Sequence, residues 1–130
     1  MKTFALRLKP NQDLKEELIK FSKLNNIHSG FILTCVGSLK KAVLRLADLE
    51  VKPFNENFEI VSLTGTICLD EVHLHISIAD RDGKVIGGHI KEGCIIFTTA
   101  EIIIGLSEDF VLSREFDKIT NFKELVINLK

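Results

Sequence analysis

Tryptophan and tyrosine are missing from this sequence, and all nine of its aromatic residues are phenylalanine. Phenylalanine serves a dry core. A surface that stacks nucleic-acid bases needs exposed aromatics among basic residues. Runs of like charge are missing too. Seventeen basic and eighteen acidic residues are mixed along the chain, and the net charge is −1. A protein that grips DNA through its phosphates carries a basic patch or arm, so this balance argues against direct DNA binding. No stretch approaches the roughly 18 apolar residues of a membrane span, and Met1 to Leu8 has no apolar signal core. The expected location is the cytoplasm.

Cysteine is scarce and unpaired. Cys35, Cys68 and Cys94 are odd in number and widely spaced, with no C-x-x-C, which excludes zinc-ribbon and thioredoxin-type sites. All three sit in apolar runs and read as inert buried thiols. The sequence also has no G-x-G-x-x-G, no G-x-S-x-G and no H-E-x-x-H. Gly83 and Gly88 have the spacing of a phosphate loop, but His89-Ile90 replaces the required Lys-Ser/Thr. No two carboxylates stand out as an acid/base couple.

What is present is 130 residues with 45% hydrophobic content, the size of one domain that can bury a core. No repeat or composition break marks a second domain, so residues 1–130 read as one. Phe4 to Leu8 alternates as a strand. Asp13 caps a helix with Glu16 as its partner. Leu14, Leu18, Phe21 and Leu24 form the apolar stripe, and Asn25-Asn26 ends it. The rest reads as β: Gly30 to Val36, an interruption at Gly37-Ser38, then Ala42 to Leu49. A loop over Lys52 to Asn57 leads to strands at Phe58 to Leu63, Glu71 to Ala79, Lys84 to Ile90, Cys94 to Ile104, Phe110 to Phe116 and Glu124 to Leu129. The fold class is α+β: a largely antiparallel sheet, partly barrel-like, packed with one main N-terminal helix. Segments such as Cys94-Ile95-Ile96-Phe97 are apolar on both faces and need cover that one helix cannot supply. A homo-oligomer is therefore expected.

The histidines carry the chemistry. His73-Leu74-His75 places two imidazoles on one face of a strand, roughly 6.5–7 Å apart along it. The turn that follows decides whether His89 joins them. A two-residue loop at Asp82-Gly83 sets His89 opposite Ile76, on the wrong face. A three-residue loop, Arg81-Asp82-Gly83, with Gly83 at positive φ, pairs Asp80 with Lys84 and His75 with His89. Gly87-Gly88 permits close backbone approach or adds a bulge that spoils this register. Three imidazoles on one face suit a divalent transition metal, zinc above all, with a fourth position open. The plain alternative is ordinary polar residues on a half-exposed strand. His28 is a polar loop residue. Arg7 and Arg45 each interrupt an apolar strand, where an arginine is costly unless paired. Each is either a salt-bridge partner within or between subunits, or an anion clamp. Arg114-Glu115 reads as structural.

Several of these segments together resemble the plants and prokaryotes conserved (PPC) domain. They are Phe58 to Thr66, His73 to Asp80 and Gly83 to His89, with Arg7-Leu8 before Asp13-Leu14, Gly37-Ser38-Leu39 before Arg45, and Arg114 to Asp117 before Phe122 to Leu125. The resemblance implies an antiparallel sheet with flanking helices, assembled as a homotrimer. It further implies a protein-interaction module with a transcription-related role. Plant members carry AT-hooks that bind A·T-rich DNA. This chain has no Arg-Gly-Arg-Pro core and resembles the stand-alone prokaryotic type, in which the resemblance implies a metal at the histidine positions. Two alternatives stand beside this reading: a metal-dependent enzyme whose Arg7 or Arg45 orients a small anionic molecule, and direct DNA binding.

Overall fold

A computed structural model describes residues 1–130. The elements are β1 (Lys2–Leu8), α1 (Leu14–Leu24), β2 (Gly30–Arg45), β3 (Val51–Phe54), β4 (Phe58–Cys68), β5 (Glu71–Ala79), β6 (Val85–Ile90), β7 (Ile95–Leu106), β8 (Phe110–Phe116) and β9 (Lys123–Leu129). Seven strands make one antiparallel sheet in the order β1-β7-β2-β4-β5-β6, with β3 also on β2. The end strand β6 returns to β2, pairing Leu44 with Ile90 and Arg45 with His89. Strands β8 and β9 form a separate hairpin. The chain is thus α+β, mostly antiparallel sheet with one short helix.

Helix α1 starts at Asp13, whose Oδ1 accepts the Glu16 amide at 3.0 Å. This satisfies one of the free donors of the first turn. The other oxygen, Oδ2, accepts the Gly93 amide at 2.7 Å. Asp13 therefore ties the helix to the chain entering β7. Leu14, Leu18 and Ser22 are buried, a stripe at four-residue spacing. Leu24 does not join it and is 85% exposed. At 100° per residue it falls about 120° from the centre of that stripe. Ser22 takes the buried place instead, and its hydroxyl donates to the Ile27 carbonyl at 3.1 Å. The core between helix and sheet is one cluster that includes Leu8, Leu39, Leu44, Leu74, Ile78, Ile96 and Ile102.

Two strand expectations need correction. The break at Gly37-Ser38 does not occur, because β2 runs unbroken from Gly30 to Arg45. Gly37 marks a close approach: a Cβ there would lie 2.1 Å from the Thr99 carbonyl oxygen of β7. The loop expected over Lys52 to Asn57 is half strand, since Val51–Phe54 pairs with β2 and places Pro53 opposite Val43. Proline is tolerated there because β3 pairs on one side only. The cysteines are free and buried. Burial pushes the thiols of Cys35 and Cys94 up, to about 12 and about 11, as expected for inert groups.

Candidate metal centre

Alternation places the site. On β5, Leu74, Ile76 and Ile78 are buried, while His75 is exposed and His73 half-buried. Asp80 then organises the turn. Its backbone amide donates to the Lys84 carbonyl (2.9 Å) and its carbonyl accepts the Gly83 amide (3.0 Å). Its Oδ1 accepts the amides of Asp82 (2.9 Å) and Lys84 (3.0 Å). Gly83 sits at φ 79°, a conformation that costs glycine little. The loop is thus the three-residue form, and His75 pairs directly with His89. The glycine pair serves close approach rather than a bulge. A Cβ on Gly88 would sit 2.9 Å from the Arg45 carbonyl oxygen, so glycine lets β6 close against β2.

One cross-strand row results: Arg45 on β2, His89 on β6, His75 on β5 and Thr64 on β4. His73, opposite Thr66, lies in the next row. The ring centroids of His73, His75 and His89 are 5.0, 5.1 and 5.6 Å apart. Each ring offers one nitrogen, and these three atoms lie within 4.8 Å of one another.

The donor set fits a divalent transition metal on two counts. Nδ1 of His89 is buried and has no hydrogen-bond partner; leaving such an atom orphaned costs about 1–3 kcal/mol. The rings of His89 and His73 are also held neutral, the form that ligates. Burial, then the charge of Arg45, pushes His89 down to about 4. His73 is lowered by burial, then by Arg114, His75 and Arg45, with Glu124 opposing.

His73 and His89 line a cavity of about 600 Å³ whose wall also includes Arg45, Lys91, Arg114, Phe122 and Glu124. Arg114 and Glu124 come from the β8–β9 hairpin. Nη2 of Arg114 donates to Thr66 Oγ1 at 2.7 Å, which pins it to the face that carries His73. The Arg45 guanidinium lies 5.2 Å from the Phe122 ring centroid. The chain's ion pairs are Lys15–Glu92, Lys20–Glu17, Lys52–Glu50 and Lys123–Glu71. No arginine takes part, so neither Arg7 nor Arg45 has a salt bridge within the chain. Arg7 lies outside this cavity; it is exposed, and its Nε donates to Thr99 Oγ1 at 3.0 Å. His28 is an exposed loop residue beside Asn26. Sequence reasoning missed Arg114, whose role depends on where the hairpin docks. The available hint was that Arg114 opens a segment, Arg114 to Asp117, that resembles the PPC domain.

Residues 1–108 match the family model of the Plants and Prokaryotes Conserved (PCC) domain. The chain belongs to the PCC domain family. The family match ends before the β8–β9 hairpin, but similarity to individual relatives continues through it. The Bifunctional protein GlmU of Synechococcus sp. (strain JA-3-3Ab) is 45% identical over 128 residues, covering 98% of this chain. The chain spans 21% of that relative's length. A hypothetical protein from Salmonella cholerae-suis shares the fold at TM-score 0.94 and 35% identity, over 99% of this chain and 94% of that one. A metal-containing protein from Archaeoglobus fulgidus does so at TM-score 0.79 and 27% identity, over 97% and 94%. No helix of this PCC domain is long and apolar enough to cross a membrane.

Proposed function

We propose that this PCC domain binds a divalent transition metal, zinc first among the candidates, through His73, His75 and His89. The convergence of three ring nitrogens within 4.8 Å carries the reading, and the orphaned Nδ1 of His89 supports it. So does the relative from Archaeoglobus fulgidus, which is described as metal-containing. When bound, such an ion supplies Lewis acidity at its open coordination position. The chain's own residues hold the rings of His73 and His89 neutral, and the wall of the cavity shapes what can approach them.

The domain acts as a homotrimeric interaction module that recruits partner proteins. Leu33, Val36, Val61 and Phe97 are exposed on β2, β4 and β7, apolar surface of the kind a second copy covers. Arg7, Glu101 and Val36 follow one another in one sheet row across β1, β7 and β2, which suits Arg7 as an intersubunit contact. The two-sided β6 contact with β5 and β2 supports a partly barrel-like closure. The cavity beside the histidines favours a second reading, a metal-dependent activity on a small anionic molecule, because its size suits one. Direct DNA binding has the least support, given a net charge of −1.

Elemental analysis of tag-free protein tests the metal. About one ion per chain is expected, and His75→Ala should weaken zinc binding about 100-fold or more in a chelator competition. Wild-type protein that takes up no stoichiometric zinc would sink the proposal. Light scattering tests the trimer, and a monomer at micromolar concentration would remove it.

A further inference from the structure

Arg45 and Arg114 stand in one cavity with His73 and His89, and neither has a carboxylate within ion-pair distance. Arg114 spends one donor on Thr66 Oγ1. The Arg45 guanidinium packs on Phe122, and its N–H groups find no acceptor in the protein. Holding two half-buried guanidiniums in one cavity with no carboxylate partner is unfavourable. A structure that does so has prepared them for something else. The cavity's other charges sharpen this. Lys15 is taken by Glu92 and Lys123 by Glu71. That leaves Lys91 as a third free cation, against Asp70 and Glu124.

We propose that Arg45 and Arg114 form an anion-binding subsite beside the histidine trio. It takes the carboxylate or phosphate group of a small molecule whose other end reaches His73 and His89. The planar forks of arginine match the paired oxygens of either group. Both forks are pre-placed: Arg45 by its pairing with His89 and its contact with Phe122, Arg114 by Thr66. Preorganisation of this kind lowers the ordering cost of binding. The hairpin thus has a chemical task, because it brings one of the two arginines and the ring beneath the other. The inference rests on the metal reading for the ligand's far end only. The subsite itself is made of this chain's own cations.

The test is calorimetric titration of zinc-loaded and metal-free protein with inorganic phosphate and, separately, with malonate. Saturable binding of at least one probe is expected, tighter when zinc is present. Arg114→Lys and Arg45→Gln should each weaken it about tenfold or more while zinc affinity stays within about twofold. Arg7→Gln should change neither. Thermal melts confirm that each variant is folded; Arg45→Gln leaves the Arg114–Thr66 and Ser29–Leu112 hydrogen bonds intact and serves if Arg114→Lys does not fold. Anion binding without zinc uptake would sustain this subsite and overturn the metal reading. Zinc uptake with no binding of either probe, or binding unaffected by both arginine variants, would overturn the subsite.

Discussion

The β5–β6 ribbon and the β8–β9 hairpin are both antiparallel pairs, yet they hold their functional side chains in different ways. In the ribbon, position follows from register. His75 faces His89 because the turn at Arg81-Asp82-Gly83 allows one pairing, and neighbouring strands on both sides enforce it. The hairpin forms its own two-stranded sheet. It attaches through side chains: Ser29 Oγ accepts the Leu112 amide at 3.0 Å, and Arg114 donates to Thr66. One group is built into the sheet and the other is clipped onto it. A register device tolerates little alteration, because a one-residue slip turns every side chain over. A clipped device adjusts by degrees.

The largest effect that separates the two should come from Gly88→Ala. The new Cβ meets backbone at 2.9 Å, so β6 must move off β2. A loss of about 1–3 kcal/mol is expected in urea unfolding, together with weaker zinc binding. A variant as stable as wild type would show that the ribbon yields more easily than its geometry implies.

Acid should attack the ribbon next. In the metal-free protein His89 titrates near 4, below its ordinary 6.5, and His73 is shifted the same way. Between those values the unfolded chain takes up protons that the folded chain refuses. Stability is therefore full above about 6.5 and declines as pH falls towards 4. Thermal melts across this window should fall steadily; a flat profile would contradict the buried, neutral state of the rings.

Ser29→Ala addresses the hairpin. It removes the acceptor for the Leu112 amide and should cost about 1 kcal/mol. Zinc affinity should hold and phosphate binding should weaken. Loss of zinc binding as well would mean that the two regions are less separate than described. The smallest effect belongs to Lys123→Ala. Its 2.6 Å pair with Glu71 is exposed, and exposed pairs contribute little. No change in melting temperature is expected, and a clear drop would give the hairpin a third anchor.

The same contrast explains what could be read in advance. Local rules settle the ribbon: alternation assigns the faces of β5, and the positive φ of Gly83 selects the loop. The histidine trio was therefore legible from 17 residues of chain, His73 through His89. The strands of the hairpin were legible too, but not their docking, because no local pattern says which face of the sheet Arg114 will meet. Pro53 and Gly37 misled for a related reason. Each signals a break in isolation, and only the neighbouring strand shows that one sits on an edge and the other tight against the backbone of its pairing partner. Leu24 was misplaced because an apolar residue at the end of a short helix can overrun the stripe it would extend.

Asp13 has a consequence for how the molecule opens. One of its oxygens holds the Glu16 amide and the other holds the Gly93 amide, eighty residues on. Fraying of the helix start and release of the segment entering β7 are then one event with one opening rate. Native-state hydrogen exchange should find those two amides protected to the same degree, as members of a single cooperative unit that spans most of the chain's length.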